Sequence, residues 1–373
     1  MSTSAKTPVV VFGPFIGEFG WELLYWHGVV RRLCRTDFRN HHRVAVSLAG
    51  RGPFYPDVDE FVAIKSSDLP SGYSPRSYIT DGWRDGLPGE DRQFHALHPI
   101  NIWASLRHKR ITRASYIERW RGPSVEPYVK DLMTRLVAQF PPNTTFFSPF
   151  VIHNLDEGQF GCDVSVPSTA LANASRKPSF GSQFLTRLTA SHEAARQISQ
   201  LLDSDKPYIS VFPRSRPFRR TDKNWSREQY VELIRLIRNR GFNVALLGAP
   251  NGAYFADESY PDCLDLINIS DENRLDLHLA MVTKSVLAIG AMSGSLLVAL
   301  AAGCPAIIFG DEGQQLQYYR ENYLDSPLMY VSTLQPSASD LMRVTESMLN
   351  AICRNVSPIL RARGDSNFQP SDP

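Results

Sequence analysis

The sequence predicts an α/β fold built from two successive, facing Rossmann-like domains, each a parallel sheet flanked by helices. Three observations carry this. Short β-branched runs alternate with segments of helical periodicity over the first 65 residues. The same alternation returns more cleanly from residue 206 to 345, and a polar connector separates the two halves. A length of 373 residues fits two or three domains. The expected division is an N-terminal domain at 1–185, a connecting helix at 186–205, a C-terminal domain at 206–345 and a terminal helix with a frayed tail at 346–373.

In the first half, Val9–Phe12 reads as a strand and Glu22–Leu33 as a helix. Val44–Leu48 and Phe61–Ile64 read as further strands. From Lys65 to Pro127 turn residues dominate, and Val129–Phe140 returns to helix. The stretch Asn154–Gly181 is polar and loop-like, and His192–Leu202 is helical. In the second half, Tyr208–Phe212 is a strand. The helix Arg227–Asn239 is capped by Ser226 at its start and closed by Gly241. Strands Val244–Leu247, Leu264–Ile267, Val286–Ile289 and Ala306–Phe309 alternate with helices Leu275–Thr283 and Leu296–Ala302. Leu341–Ile352 is the terminal helix.

Composition narrows the class. With 43% hydrophobic and 21% charged residues, the chain is globular rather than disordered or fibrous. Lys and Arg number 40 against 38 Asp and Glu, a formal net charge of +2, which is no bulk signature of a nucleic-acid binder. Five scattered cysteines without a Cys-x-x-Cys pair read as reduced thiols. The polar start lacks a signal peptide, and no window holds the roughly 20 apolar residues of a membrane span. The expected location is the cytoplasm, and the Asn-x-Ser/Thr triplets at Asn143 and Asn173 read as chance.

Ligands of open α/β sheets bind beyond the carboxyl ends of the strands, so the loops after strands matter most. The first loop runs from Gly13 to Glu22 and has no dinucleotide fingerprint. Glu18, between glycines and near Phe19, Trp21 and Trp26, is either a general base or a carboxylate that complements a helix N-terminus. The loop Arg214–Lys223 holds five basic residues in ten positions, which suits an anion or a solvated surface. The third, Gly290–Ser295, presents small residues and two hydroxyls at a helix start, which suits a phosphate or a serine cap. Asp57-Val58-Asp59 precedes a strand and is not expected to bind metal. His95-Ala96-Leu97-His98 lacks a further ligand at useful spacing. The basic stretch Arg107–Arg121 reads as a solvated face or as a contact for an anionic acceptor.

Together these loops resemble the GT-B glycosyltransferases, most closely the bacterial heptosyltransferase-like family of lipopolysaccharide synthesis. The resemblance rests on Phe212-Pro213-Arg214 through Lys223-Asn224-Trp225, on Val244 through Pro250, on Leu279 through Gly310, and on Gly17-Glu18, where the family carries Gly-Asp. Phe54 through Phe61 also resembles a family segment leading into a strand. It implies two domains enclosing a cleft, with a nucleotide-diphosphate sugar as co-substrate and no other cofactor or metal. Glu18 would be the catalytic base. Arg214, Arg216, Lys223, Gly248, Asn251, Ser293, Gly294, Ser295 and Asp311 would bind the donor. Gly17, Trp21, Arg107 and Arg110 would face a saccharide, lipid-linked or other hydroxyl acceptor, anionic acceptors included. A place at the inner membrane surface would suit such acceptors. Three departures leave the donor open. Met292 stands where the family has Asp, Leu297 where it has His, and Gly252 where it has a ribose-binding Glu, a contact that Asn251, Asp311 or Glu312 would have to replace. The rival readings are a sugar-nucleotide epimerase of the same fold and a DNA-directed glycosyltransferase or nucleic-acid binder.

Overall fold

The computed structural model describes residues 7–17, 19–69, 127–147, 152–154, 159–161, 186–202, 206–217, 221–256, 260–310 and 326–353. The chain divides into two compact units, Met1–Phe184 and Leu185–Pro373.

In the first unit, strands β1 (Val9–Phe15), β2 (His42–Leu48), β3 (Glu60–Ile64), β4 (Thr145–Phe147), β5 (Ile152–Asn154) and β6 (Gln159–Gly161) form one sheet in the order β3-β2-β1-β4-β5-β6. The pairs β1–β2, β2–β3 and β1–β4 are parallel, whereas β4–β5 and β5–β6 are antiparallel. The all-parallel expectation is therefore corrected on this edge, where β5 ends at the first residue of the stretch that reads as loop and β6 lies inside it. Each is three residues long with a single apolar side chain, Ile152 or Phe160, so main-chain pairing and not an apolar pattern defines them. The core of this sheet packs Val11, Val44, Val46 and Phe146 against Leu132 and Met133 of the helix Pro127–Val137.

Strand β1 runs three residues further than the sequence predicts. Its register against β2 shifts between Phe12 and Phe15, so that Phe12 faces Ala45 and Phe15 faces Ser47. Gly13 makes this irregularity possible. Its φ is +127°, and a Cβ there would lie 2.2 Å from the Val46 carbonyl oxygen. After β1 the chain enters α1 (Phe19–Trp21), passes through a π-helical turn (Glu22–Trp26) and continues as α2 (His27–Arg35). The expected single α-helix thus contains a widened turn. Such turns leave carbonyls needing other donors, and here His27 Nδ1, 3.2 Å from the Glu22 carbonyl oxygen, supplies a proton.

The second unit contains β7 (Tyr208–Phe212), β8 (Asn243–Leu246), β9 (Leu264–Asp265), β10 (Ser285–Ala291), β11 (Ala306–Phe309) and β12 (Leu328–Val331), in the order β12-β11-β10-β7-β8-β9. Every pair in it is parallel. Numbered within each unit, both sheets run 3-2-1-4-5-6, the dinucleotide-fold order. Helices α3 (Pro127–Val137), α4 (His192–Leu201), α5 (Arg227–Asn239), α6 (Asp271–Lys284), α7 (Gly294–Ala301) and α8 (Ala338–Cys353) complete the described elements. Ser226 caps α5 by accepting from the Gln229 amide, and Gly241, at φ +85°, ends it. The apolar face of α5, with Tyr230, Leu233, Ile234 and Ile237, is fully buried against the sheet. Two differences from expectation bear on the site end of the sheet. Gly290 and Ala291 belong to β10 instead of the turn, and β12 is an additional strand, formed by the apolar run Leu328–Val331.

Candidate active site

The second unit assembles the basic loop and the small-residue turn on one sheet end. Strands β7 and β10 are neighbours, with Gly290 paired to Phe212. The segments after Phe212 and after Ala291 therefore leave the sheet side by side, where its strand order reverses. The approach is close at Gly290, where a Cβ would meet Phe212 Cβ at 2.9 Å and Phe212 O at 3.0 Å.

Two cations of the basic loop are not solvated. Arg214 is 6% exposed and Lys223 9%. Cations buried to this degree require compensating partners. Asn224 organises the loop. Its Oδ1 accepts from Arg214 Nη1 and, at 3.0 Å, from the Arg216 amide, while its Nδ2 donates to the Arg216 carbonyl at 2.7 Å. Tyr230 fixes the loop's entrance, accepting from the Arg214 amide and donating to the Phe212 carbonyl, each at 3.2 Å. Burial pushes the pKa of this phenol up, so it stays neutral. Trp225 is fully buried, donates to Pro336 O at 2.8 Å and packs edge-on against Tyr230.

The loop after β8 joins the same cluster. The Ser215 amide donates to Gly252 O at 2.8 Å, Tyr254 N donates to Pro213 O at 2.7 Å, and Arg214 pairs with Ala253 as an isolated bridge. Gly248 is buried at the end of this strand, and Asn251 is exposed in the 3-10 turn Pro250–Gly252. Beside them, Ser293 caps α7 by accepting from the Leu296 amide at 3.4 Å, and Ser293, Gly294 and Ser295 are half-buried. The serine-cap reading and a set of helix-terminal donors therefore coexist. Met292 and Leu297 are 4% and 2% exposed. The two departures from the resembled family are packed side chains.

Of the residues expected on the donor side, the structure gathers Arg214, Arg216, Lys223, Gly248, Asn251, Ser293, Gly294 and Ser295 on loops at one end of one sheet. Asp311 lies outside the described residues, as do Arg219, Arg220 and Glu312. In the first unit Gly17 is buried just beyond β1, and Trp21 ends α1, its side chain outside the described residues. Glu18, Arg107 and Arg110 also lie outside them. Sequence reasoning misses Asn224 and Tyr230 as organisers. The signal for Asn224 is its place between Lys223 and Trp225 in the loop itself.

The first unit instead brings together Glu22, Ser47, Arg51 and Tyr55. Glu22 is fully buried; Arg51 Nη1 donates to its Oε2, and Tyr55 Oη donates to its Oε1, both at 2.5 Å. Asp57 is held by Arg31 and Arg35, and Asp59 by Arg43, so both carboxylates of the Asp-x-Asp are engaged in ion pairs. Among the described residues no group of three His, Cys, Asp or Glu side chains could hold a metal ion. Cys34, Cys263 and Cys304 are free thiols, the first and last buried, with burial raising both to about 12. Among the described residues no helix is long and apolar enough to cross a membrane.

Comparison with known proteins gives a family for part of the chain. Residues 168–316, less than half of it, match the model of glycosyltransferase family 9 (heptosyltransferase). No curated protein matches. Among solved structures, the chain is similar to Escherichia coli ADP-heptose lipopolysaccharide heptosyltransferase II, with 16% identity, 94% of this chain and 99% of that one covered, and a TM-score of 0.49. It is similar to a glycosyl transferase family 9 protein of Veillonella parvula, with 12% identity, coverage of 92% and 89%, and a TM-score of 0.47. It is also similar to E. coli heptosyltransferase WaaC with ADP, with 13% identity, coverage of 91% and 99%, and a TM-score of 0.46. At such identities and scores these likenesses carry no residue role to this chain. The chain is a glycosyltransferase that resembles the family 9 heptosyltransferases, through a matched segment containing both the basic loop and the Ser-Gly-Ser turn.

Proposed function

We propose that the protein transfers a sugar from a nucleotide-diphosphate donor to an acceptor hydroxyl with inversion, without a metal or resident cofactor. The observation that carries this is the adjacency of β7 and β10, from which the loop with the buried Arg214 and Lys223 and the turn with Ser293 to Ser295 leave the same end of the sheet. An anion seated there would satisfy both loops at once. The acceptor oxygen attacks the anomeric carbon, the bond to the diphosphate breaks, and its electron pair leaves on the diphosphate. Arg214, Arg216 and Lys223 stabilise that charge, which is the role a divalent ion would otherwise play. Glu18 takes the proton of the acceptor hydroxyl. Gly248, Asn251 and Asp311 complete the donor side; Gly17, Trp21, Arg107 and Arg110 belong to the acceptor side. Such a protein would work in the cytoplasm, reaching a lipid-linked acceptor from the membrane surface.

A thermal-shift screen with ADP, UDP, GDP, CDP and dTDP tests the donor, because a ligand that binds only the folded state raises its apparent stability. One nucleotide should raise Tm, and Lys223→Ala should weaken its binding by about 10- to 100-fold with the fold intact. If no nucleotide binds, or if Lys223→Ala binds it as tightly as the wild type, the donor site is wrong. Product analysis separates the rival epimerase, which would release nucleotide and a rearranged sugar with no acceptor present.

A further inference from the structure

Glu22 belongs to none of the roles above, yet its surroundings are those of a built site. Its carboxyl is fully buried at the start of the π-helical turn. It joins the helix entrance after β1 to the carboxyl end of β2, where Ser47 lies, and to Arg51 and Tyr55 in the chain beyond that strand. Arg51 Nη1 donates to Oε2 at 2.5 Å, and Tyr55 Oη donates to Oε1 at 2.5 Å. Ser47 Oγ lies 2.5 Å from Oε1 and donates to Phe15 O at 2.9 Å. Arg51 is 12% exposed and its guanidinium lies over the Phe19 ring at 4.6 Å, tying the network to the first residue of α1.

Counting hydrogens shows what the carboxyl does. Ser47 has one hydroxyl proton and two oxygens within reach, Phe15 O and Glu22 Oε1. A Glu22 that keeps its own proton donates to Ser47, and Ser47 donates onward to Phe15, so every contact is filled. Burial acts in the same direction, raising the carboxyl's pKa against the pull of Arg51. A neutral carboxyl donating to one neighbour and accepting from others is a hydrogen-bonding hub, unsuited to taking a proton from substrate.

We infer that Glu22 is a positioning residue for the acceptor-side loops, fixing the end of β1, the entrance of α1 and the Arg51 guanidinium by hydrogen bonds alone. The loops' part in the reaction rests on the glycosyltransferase reading above. The hub itself rests only on the distances and burial.

Glutamine matches a neutral glutamic acid in shape, and its NH2 can serve Ser47 and Tyr55 while its oxygen accepts from Arg51. Glu22→Gln should therefore keep kcat within about threefold, whereas Glu22→Leu should lower it by about 10- to 100-fold, with nucleotide binding unchanged. In the wild type the amides of residues 15–17 and 19–26 should be protected from hydrogen exchange, and Glu22→Leu should release them. Tyr55→Phe and Arg51→Lys, which each remove or alter one contact, serve if Glu22→Leu does not fold, and each should give the same change in smaller degree. A Glu22→Gln enzyme as impaired as Glu22→Leu would show that the carboxylate charge is used and overturn the inference. So would unchanged exchange and unchanged kcat in Glu22→Leu or in both single-contact variants. If the wild type transfers sugar from no nucleotide donor, the function reading fails, and the exchange measurement still decides the hub.

Discussion

The first strands of the two units, β1 and β7, occupy the same place in the same strand order and end in different chemistry. Beyond β7 the chain buries two cations, Arg214 and Lys223, with Asn224 bonded to Arg214 and to the loop's backbone. Beyond β1 it buries a carboxyl, Glu22, with Ser47, Arg51 and Tyr55 on it. A shared scaffold fixes where a site can form, and the side chains at the strand ends decide what it holds. One end is built for an anion and the other around an acid.

The sharpest way to break the comparison is Glu18→Gln. If proton removal belongs to the first unit, kcat falls by about 10²- to 10⁴-fold while nucleotide affinity stays at the wild-type value. Turnover near wild type in a sugar-transfer assay would remove the base from this unit.

Next in size are the tightest backbone approaches of the two central strands. Gly13→Ala places a Cβ against Val46 O at a φ only glycine adopts easily, and about 2–4 kcal/mol of stability should be lost. Gly290→Ala meets Phe212 without a positive φ and should cost less, about 1–3 kcal/mol. Urea unfolding of both variants checks the order, and a reversal would show that the β1 irregularity yields more readily than the β7–β10 pairing.

Acid should affect both units alike. His27 and His278 are buried, and burial lowers each to about 4. Both remain neutral when folded and take a proton below about 6.5 when unfolded, so the unfolded state binds more protons between these values. The histidines' contribution is complete above pH 6.5 and declines as pH falls toward 4, by about 3 kcal/mol per histidine at most. Urea midpoints at pH 7.5 and 5 should differ accordingly, and His278→Gln should flatten the change. An acid limb untouched by that substitution would point to another group.

The smallest expected effect is at Asn224. Asn224→Ala leaves the cations in place and removes their organiser, so nucleotide affinity should drop about tenfold, measured by calorimetry. A loss equal to that of Lys223→Ala would make Asn224 a direct ligand contact.

The second unit is legible in sequence because its strands are apolar runs between turn residues and its loops carry unusual charge. The basic loop and the small-residue turn stand out by composition, and only the strand order shows that they are neighbours. The Glu22 network is not legible. Its partners lie 25, 29 and 33 residues away, so a glutamate that reads as a supporting residue along a helix gives no sign of which side chains it meets. The π-turn is hidden for a related reason, since Leu23 and Leu24 fit an ordinary helix as well as a widened one. Strands β5 and β6 have no apolar alternation to betray them.

The irregularity in β1 sets a phase. Three steps along β1, from Phe12 to Phe15, match two along β2, from Ala45 to Ser47. Paired regularly with the additional residue kept, Phe15 would stand opposite Leu48, and Ser47 would present its hydroxyl to a different carbonyl. Ironing the irregularity out while keeping every residue would move the chain beyond Phe15, and Glu22 with it, one residue along β2 from Ser47. The phase of that pairing is thus as much a part of the site as the identity of its residues.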